Sequence, residues 1–149
     1  MPGQLGYNPP VKRVLALALA AAALGGAASS SAGTTTIVSF RMPSKNIACA
    51  YMTGFGKPSL RCDILSGLKP KPSGRCREGD WSSLYMTRRG KARPLCVSDS
   101  VYNPKAPVLR YGHTWKRGGF TCHSKRKGLK CSNLAGHGFF LSRERWSVH

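Results

Sequence analysis

Six cysteines in a chain of 149 residues are the feature that most limits what this protein can fold into. They are Cys49, Cys62, Cys76, Cys96, Cys122 and Cys131. Paired as three disulfides they leave no cysteine over, and such bonds persist outside the cytoplasm. Six cysteines can pair in many ways, so spacing alone does not choose a connectivity.

The N-terminal segment, residues 1–32, is predicted to be a secretory signal peptide. Two basic residues precede the apolar run Val14–Leu24, and small residues follow it. This order is typical of an export signal, and the run is shorter than the about 20 apolar residues that span a bilayer. Cleavage after Ala28 or Ala32 fits the preference for small residues, and a retained membrane anchor is the alternative. Residues 33–149 are then one secreted or envelope-associated domain.

Alternation of apolar side chains selects a first disulfide. The segments Ile47–Tyr51 and Leu60–Ile64 each place a cysteine in the middle of an apolar face. An antiparallel hairpin in one register sets apolar residues opposite each other at every step, and Cys49 opposite Cys62. The intervening Thr53–Ser59 carries the glycines and the proline of a loop. This pattern predicts a hairpin closed by a disulfide.

A second hairpin follows from the same argument. Phe120 and Cys122 share one strand face, Leu129–Cys131 forms the partner strand, and Lys125–Gly128 is the turn. A shared Leu-x-Cys pattern leaves a duplicated hairpin and a chance similarity both open. The remaining cysteines, Cys76 and Cys96, pair by elimination.

The rest of the chain also favours short strands. No window after the signal shows a sustained 3.6-residue apolar period, and turn residues recur at short intervals. The expected fold is all-β, a small antiparallel sandwich or barrel of short strands with disulfide-stapled hairpins. The C-terminal Val148-His149 is expected to be mobile. Further strands are expected at Thr35–Arg41, Leu84–Met86, Arg93–Val97, Val108–Tyr111 and Phe139–Ser142.

Charge is the second strong signal. The chain has 24 lysines and arginines against five acids, a formal net charge of +19. Two of the cations lie in the predicted signal, which leaves +17 on residues 33–149. Solubility requires only about 2–8 charges, so we expect attraction to wall polymers, nucleic acid or acidic lipids. The basic residues sit mostly in turns, so both a non-specific basic surface and a dedicated site are open.

Candidate binding residues come from the turns and from a glycine-flanked histidine. Four aromatic residues could stack on a ligand or belong to the core; they are Tyr111, Trp115, Phe140 and Trp146. The candidate binding residues are Lys125, Arg126, Lys127, Lys130, His137 and Arg143.

The pattern predicts no enzyme, metal site or cofactor. The five acids form no evident carboxylate pair, and the histidines match no zinc spacing. His137 could act as a general base with Ser132 or Ser142, but a histidine in a turn is the simpler interpretation. No catalytic residue is therefore predicted.

Two motifs resemble those of a known family. The segment Phe40–Cys49 is similar to F-x-x-P-S-G-N-I-x-C. The segment Gly119–Arg143 is similar to G-F-T-C…G-x-x-C-x-N…G-H-G-F-x-L-S-R. Both are found in small secreted actinobacterial proteins of unknown function. The resemblance implies a secreted, disulfide-bonded domain without assigned catalytic residues. Lys45 stands where that pattern has glycine, and Arg143 is either an anchor across the sheet or a ligand contact.

The expected function is that of a monomeric, exported binding module. It attaches electrostatically to an anionic polymer or surface at the cell envelope or outside it. The alternative is an inhibitor or interaction domain that recognises another exported protein through the loop near His137. A small hydrolase is the least favoured hypothesis.

Overall fold

The computed structural model of the protein describes residues 33–149. The predicted signal peptide, residues 1–32, and both cleavage sites lie outside the described residues. The described chain contains ten β-strands and no helix, so the all-β prediction is confirmed. The strands are β1 (Thr36–Arg41), β2 (Ile47–Thr53), β3 (Ser59–Ile64), β4 (Asp80–Thr87), β5 (Arg93–Val97), β6 (Thr114–Arg117), β7 (Phe120–Lys125), β8 (Gly128–Ser132), β9 (Gly138–Leu141) and β10 (Trp146–Val148).

The strands form two antiparallel sheets of five strands each. Sheet one has the order β1-β2-β3-β4-β5, and sheet two has the order β10-β9-β8-β7-β6. Each sheet is a meander, in which every strand pairs with its neighbours along the chain. Buried apolar side chains of both sheets form one core. Across this core the ring centres of Phe40 and Trp115 lie 4.8 Å apart, and the ring centres of Tyr51 and Phe120 lie 6.0 Å apart.

The disulfide-stapled hairpins are confirmed in the predicted registers. Cys49 lies opposite Cys62 in β2 and β3, and Cys122 lies opposite Cys131 in β7 and β8. Both bonds are fully buried, and each joins two adjacent interior strands of its sheet. The third disulfide joins Cys76 to Cys96, at the start of sheet one's fourth hairpin.

Two expectations about the edges of the fold are wrong. Val108–Tyr111 is not a strand, because the chain makes only one parallel bridge, between Val108 and Arg41. It then turns at Gly112 toward sheet two, since this segment connects the two sheets. The C-terminus is held in place, because β10 pairs with β9 and His149 exchanges two backbone hydrogen bonds of 2.9 Å with Gly138.

The connection from β5 to β6 covers the outer face of sheet one. We call residues 98–109 the crossing segment. Asp99 accepts a hydrogen bond of 2.9 Å from Arg61 of β3, and the Val101 amide donates to Asp63 at 2.8 Å. Further along, the Pro107 carbonyl accepts from the backbone amide of Arg41 in β1 at 3.0 Å. The segment therefore runs from the far edge of sheet one, over β3, to β1.

This arrangement buries an ion pair in β3. The Arg61 guanidinium donates to both carboxylate oxygens of Asp63, at 2.8 and 3.1 Å, and Ser83 also donates to Asp63. Asp63 is only 2 % exposed. Burial lowers the pKa of Arg61, but the hydrogen bonds and negative charges of Asp63 and Asp99 outweigh that effect and raise it. Arg61 therefore stays protonated.

The strands run in alternating directions, so their connections gather at two opposite ends. One end, which we call the cleft end, contains the turns β1–β2, β3–β4, β7–β8 and β9–β10. The opposite end, which we call the loop end, contains the turns β2–β3, β4–β5, β6–β7 and β8–β9. Hydrogen bonds join the sheets at the loop end, where the Asn133 side chain donates to the carbonyls of Thr87 and Gly90 at 2.9 and 2.8 Å. Asn133 also caps its own turn, through Ala135 and His137.

One turn at the cleft end is strained. Lys45 has a φ of 58°, in the left-handed region that favours glycine. We expect Lys45→Gly to raise the free energy of unfolding by about 0.5–1 kcal/mol, because strain relief exceeds the entropy that glycine adds to the unfolded chain. Urea denaturation measures this gain as a higher midpoint concentration, with no change in the dependence of the free energy of unfolding on urea concentration. Lys45→Ala removes the same charge but keeps the Cβ, so an equal gain in that variant would contradict the explanation.

Candidate anion-binding cleft

Two adjoining cavities lie around the β7–β8 turn. The first has a volume of about 230 Å³ and lies between the turns β1–β2, β7–β8 and β9–β10. The second has a volume of about 390 Å³ and lies on the outer face of sheet two. Lys127 and Gly128 line both cavities, so the two adjoin at this turn, and we call them together the cleft.

Strand alternation explains why cations line this cleft. On β7, Cys122 and Ser124 face the core, so His123 and Lys125 point outward. On β8, the buried neighbours leave Lys130 on that same outer face, where it lies opposite His123. Only two residues, Arg126 and Lys127, close this hairpin, so neither can turn inward. All of these side chains except buried Ser124 and Cys122 are exposed.

Five of the six candidate binding residues meet here. Arg126, Lys127 and Arg143 line the first cavity. Lys125, Lys127 and Lys130 line the second. Arg143 lies in the β9–β10 turn and is exposed, so its side chain is available to a ligand at the cleft.

Arg145 also belongs to the cleft, although sequence reasoning did not assign it there. Arg145 lines the second cavity, with its guanidinium carbon 5.2 Å from the centre of the Phe140 ring. Arg126 is held in the same way, 5.4 Å from the centre of the Tyr111 ring. These cation–π contacts restrict both guanidinium groups while leaving them exposed. The run Arg143-Glu144-Arg145 carried a signal for Arg145, but nothing in the sequence placed that run beside the β7–β8 turn.

The walls of the first cavity are polar. Ser44 and Asn46 line it from the β1–β2 turn, and the Asn46 side chain bonds Ser66 of the next turn at 3.1 Å. The Ser142 hydroxyl donates to the Arg145 carbonyl at 3.0 Å, which holds the β9–β10 turn closed. Glu144 is the one carboxylate in this lining.

The structure places His137 away from the cleft, at the loop end. Its backbone amide donates to Asn133 Oδ1 at 3.1 Å, and its side chain lines a separate cavity with Lys91 and His149. Ser142 lies at the opposite end of the domain, so the two are not brought together. Within residues 33–149, no hydrogen bond joins the His137 ring to a serine.

Among residues 33–149, none of the cations of the cleft takes part in an ion pair. Asp63 and Asp99 bind Arg61, and Asp80 binds Lys71 at 3.2 Å. The hydrogen bond from Lys71, assisted by a backbone amide, lowers the pKa of Asp80. In the described part of the chain no other ion pair forms. Nor does any group of three His, Cys, Asp or Glu side chains in this part lie in position to hold a metal ion.

Comparison with known proteins gives a family but no activity. Residues 14–149 match a family described as a family of unknown function, DUF6636. The chain belongs to that family. No curated protein and no solved structure matches the chain. Membership in DUF6636 therefore assigns no ligand.

Two observations bear on the environment of the domain. Three disulfides with no free cysteine among the described residues indicate an oxidising compartment. Residues 33–149 contain no helix that is long and apolar enough to cross a membrane.

Proposed function

We propose that this domain is an exported binding module that holds anionic polymers in the cleft around the β7–β8 turn. One observation supports this most strongly: six lysines and arginines line two adjoining cavities whose linings contain a single carboxylate, Glu144. The cations are Lys125, Arg126, Lys127, Lys130, Arg143 and Arg145.

The energetics of such a cleft favour a polymer over a single ion. Each exposed cation gains little from one small anion in water, where charge interactions are weak and screened by salt. A polyanion releases many condensed counterions when several of its charges are neutralised together. Arg126 and Arg145 already rest on aromatic rings, so ordering them costs less than ordering free side chains.

Export places the proposed ligand outside the cytoplasm. The disulfides and the predicted signal peptide support secretion, and phosphate- or carboxylate-bearing wall polymers are the anionic polymers found there. N-terminal sequencing of the mature protein tests this part, with cleavage expected after Ala28 or Ala32. An intact N-terminus on the exported protein would contradict cleavage and favour a retained anchor, whereas protein found only in the cytoplasm would contradict export.

Binding across a salt series tests the site. The oxidised domain is titrated with mixed-sequence duplex DNA, a polyglycerol phosphate polymer and inorganic polyphosphate. For DNA, neutralising five or six phosphates predicts a plot of log K against log salt with a slope of about −5. The triple substitution Lys125→Gln, Arg126→Gln and Lys127→Gln is expected to make that slope shallower by about 3, because three phosphate contacts are lost.

A matched triple substitution provides the control. Lys57→Gln, Arg89→Gln and Lys91→Gln remove the same charge from exposed positions at the loop end. This variant is expected to keep most of the polymer affinity and nearly the original slope. Equal losses in the two triples would mean that the charge only coats the surface. A flat salt response in the unsubstituted domain would also overturn the proposal, and would favour recognition of an exported protein.

A further inference from the structure

The loop end forms one continuous surface, opposite the cleft. Arg88 ties its loops together, because its backbone amide donates to the Pro58 carbonyl at 3.0 Å and its carbonyl accepts from Leu134 at 3.2 Å. The Arg88 side chain also donates to the Gly118 carbonyl at 3.0 Å. Loops from both sheets are thus held side by side.

Large apolar side chains project from this surface. Phe55 is 67 % exposed and Leu134 is 57 % exposed. Phe55 lies between Gly54 and Gly56, which adopt φ values of 86° and 97°. This backbone sets the ring at the tip of the β2–β3 loop, away from the core. Burial of either side chain in an apolar medium would be favourable, whereas exposure to water is not.

No Asp or Glu side chain lies on the surface around these apolar side chains, so its charged side chains are all basic. The five acids all lie toward the cleft end: Asp63 near the end of β3, Glu78 and Asp80 at the start of β4, Asp99 after β5, and Glu144 in the β9–β10 turn. Arg88, Arg89 and Lys57 line a shallow cavity of about 390 Å³ beside the β2–β3 loop. Lys91 and Arg117 are exposed in the neighbouring loops. The domain is therefore electrostatically asymmetric along the strand direction.

We propose that the loop end docks on the surface of an anionic lipid bilayer, with Phe55 and Leu134 inserted at the level of the headgroups. The cations contact lipid phosphates, and the apolar side chains leave water. Exposed apolar tips surrounded by lysine and arginine suit a bilayer, which offers negative charge and an apolar layer together. A hydrophilic polymer offers only the charge. This inference does not depend on ligand binding in the cleft.

Vesicle binding measures both contributions. The probes are equimolar phosphatidylglycerol and phosphatidylcholine vesicles, and pure phosphatidylcholine vesicles. The domain is expected to bind the anionic vesicles and not the zwitterionic ones. The loop-end triple, Lys57→Gln with Arg89→Gln and Lys91→Gln, is expected to weaken binding roughly a hundredfold, from about fivefold per cation near the surface. Phe55→Ser is expected to weaken it roughly tenfold without changing the salt slope.

Two control variants test whether the effects are specific to the loop end. One changes an exposed apolar side chain elsewhere on the domain, and the other removes positive charge from the cleft. Leu65→Ser changes a 56 % exposed leucine at the cleft end and is expected to leave vesicle binding unchanged. The cleft triple at Lys125, Arg126 and Lys127 removes as much charge as the loop-end triple, and is expected to weaken vesicle binding much less. It weakens DNA binding more, so the two proposals can fail separately.

Several outcomes would overturn the docking proposal. If the domain binds zwitterionic vesicles as tightly as anionic ones, then charge does not drive the docking. Full retention of binding by Phe55→Ser would mean that no apolar group is inserted. Equal loss in the two triples would mean general attraction without orientation. Binding of DNA but not of vesicles, weakened by the loop-end triple, would make this end a polymer site instead.

Discussion

Replacing Cys49 and Cys62 together by alanine is expected to lower the free energy of unfolding by about 4 kcal/mol. About 3 kcal/mol comes from the unfolded chain, in which the bond closes a loop across 13 positions of sequence. The rest comes from the core, because both cysteines are fully buried and alanine leaves their sulfur positions empty. A loss of this size is a large part of the stability of a single domain.

Chemical denaturation of the oxidised variant measures the loss, and the third disulfide supplies the control. Cys76 is half-buried and Cys96 is exposed, so replacing that pair by alanine removes a cross-link but little core packing. We expect about 3 kcal/mol for that pair. Its exposure also predicts that mild reductant opens it before the two buried bonds. An equal or larger loss for Cys76 and Cys96 would contradict the contribution assigned to core packing.

The second large effect is expected at the buried ion pair of β3. Arg61→Met should lower the free energy of unfolding by about 3–5 kcal/mol, because it leaves the Asp63 carboxylate buried without its counter-charge. Methionine fills much of the space of the arginine stem, so the loss reports mainly the unpaired charge. The same change removes two hydrogen bonds, of 2.9 and 2.8 Å, that hold Asp99 of the crossing segment.

Two further variants separate these contributions. Asp99→Asn changes the exposed end of the network, where the Asp99 side chain is 75 % exposed, and is expected to cost less than about 1 kcal/mol. Adding Asp63→Asn to Arg61→Met removes the stranded charge and should recover part of the loss. If Arg61→Met proves no more harmful than Asp99→Asn, then burial of Asp63 is not what makes the pair important.

Taken together, the two proposals describe a domain with a different ligand at each end. The cleft end presents six cations in a pair of cavities, and the loop end presents apolar tips among cations. Because the ends lie at opposite tips of the strands, both surfaces can be occupied at once. A polymer held at one end and a bilayer at the other would keep the domain at the envelope.

The local pattern was sufficient to predict the strands that carry a disulfide. Side chains alternate with a period of two, so one cysteine among apolar neighbours fixes both the inward face and the register. That is why the opposition of Cys49 to Cys62 could be predicted from adjacent residues alone. The outward-facing positions His123 and Lys130 of the β7–β8 hairpin followed from the same period.

Contacts between distant segments could not be predicted in this way. Arg61 and Asp63 alternate with core residues, and only the crossing segment makes their outer face a buried one. Val108–Tyr111 has strand composition but sits where the chain passes between sheets, so it pairs only once.

The sequence by itself determined the all-β class, the two stapled hairpins, the excess of positive charge and which side chains of those hairpins face outward. Only the tertiary structure decided that Arg143 and Arg145 join the β7–β8 turn, that His137 lies at the other end, and that the acids gather away from Phe55. The reason is physical: strand periodicity acts between neighbours along the chain, whereas a binding surface is assembled where turns of different sheets meet, and that meeting depends on how the sheets pack.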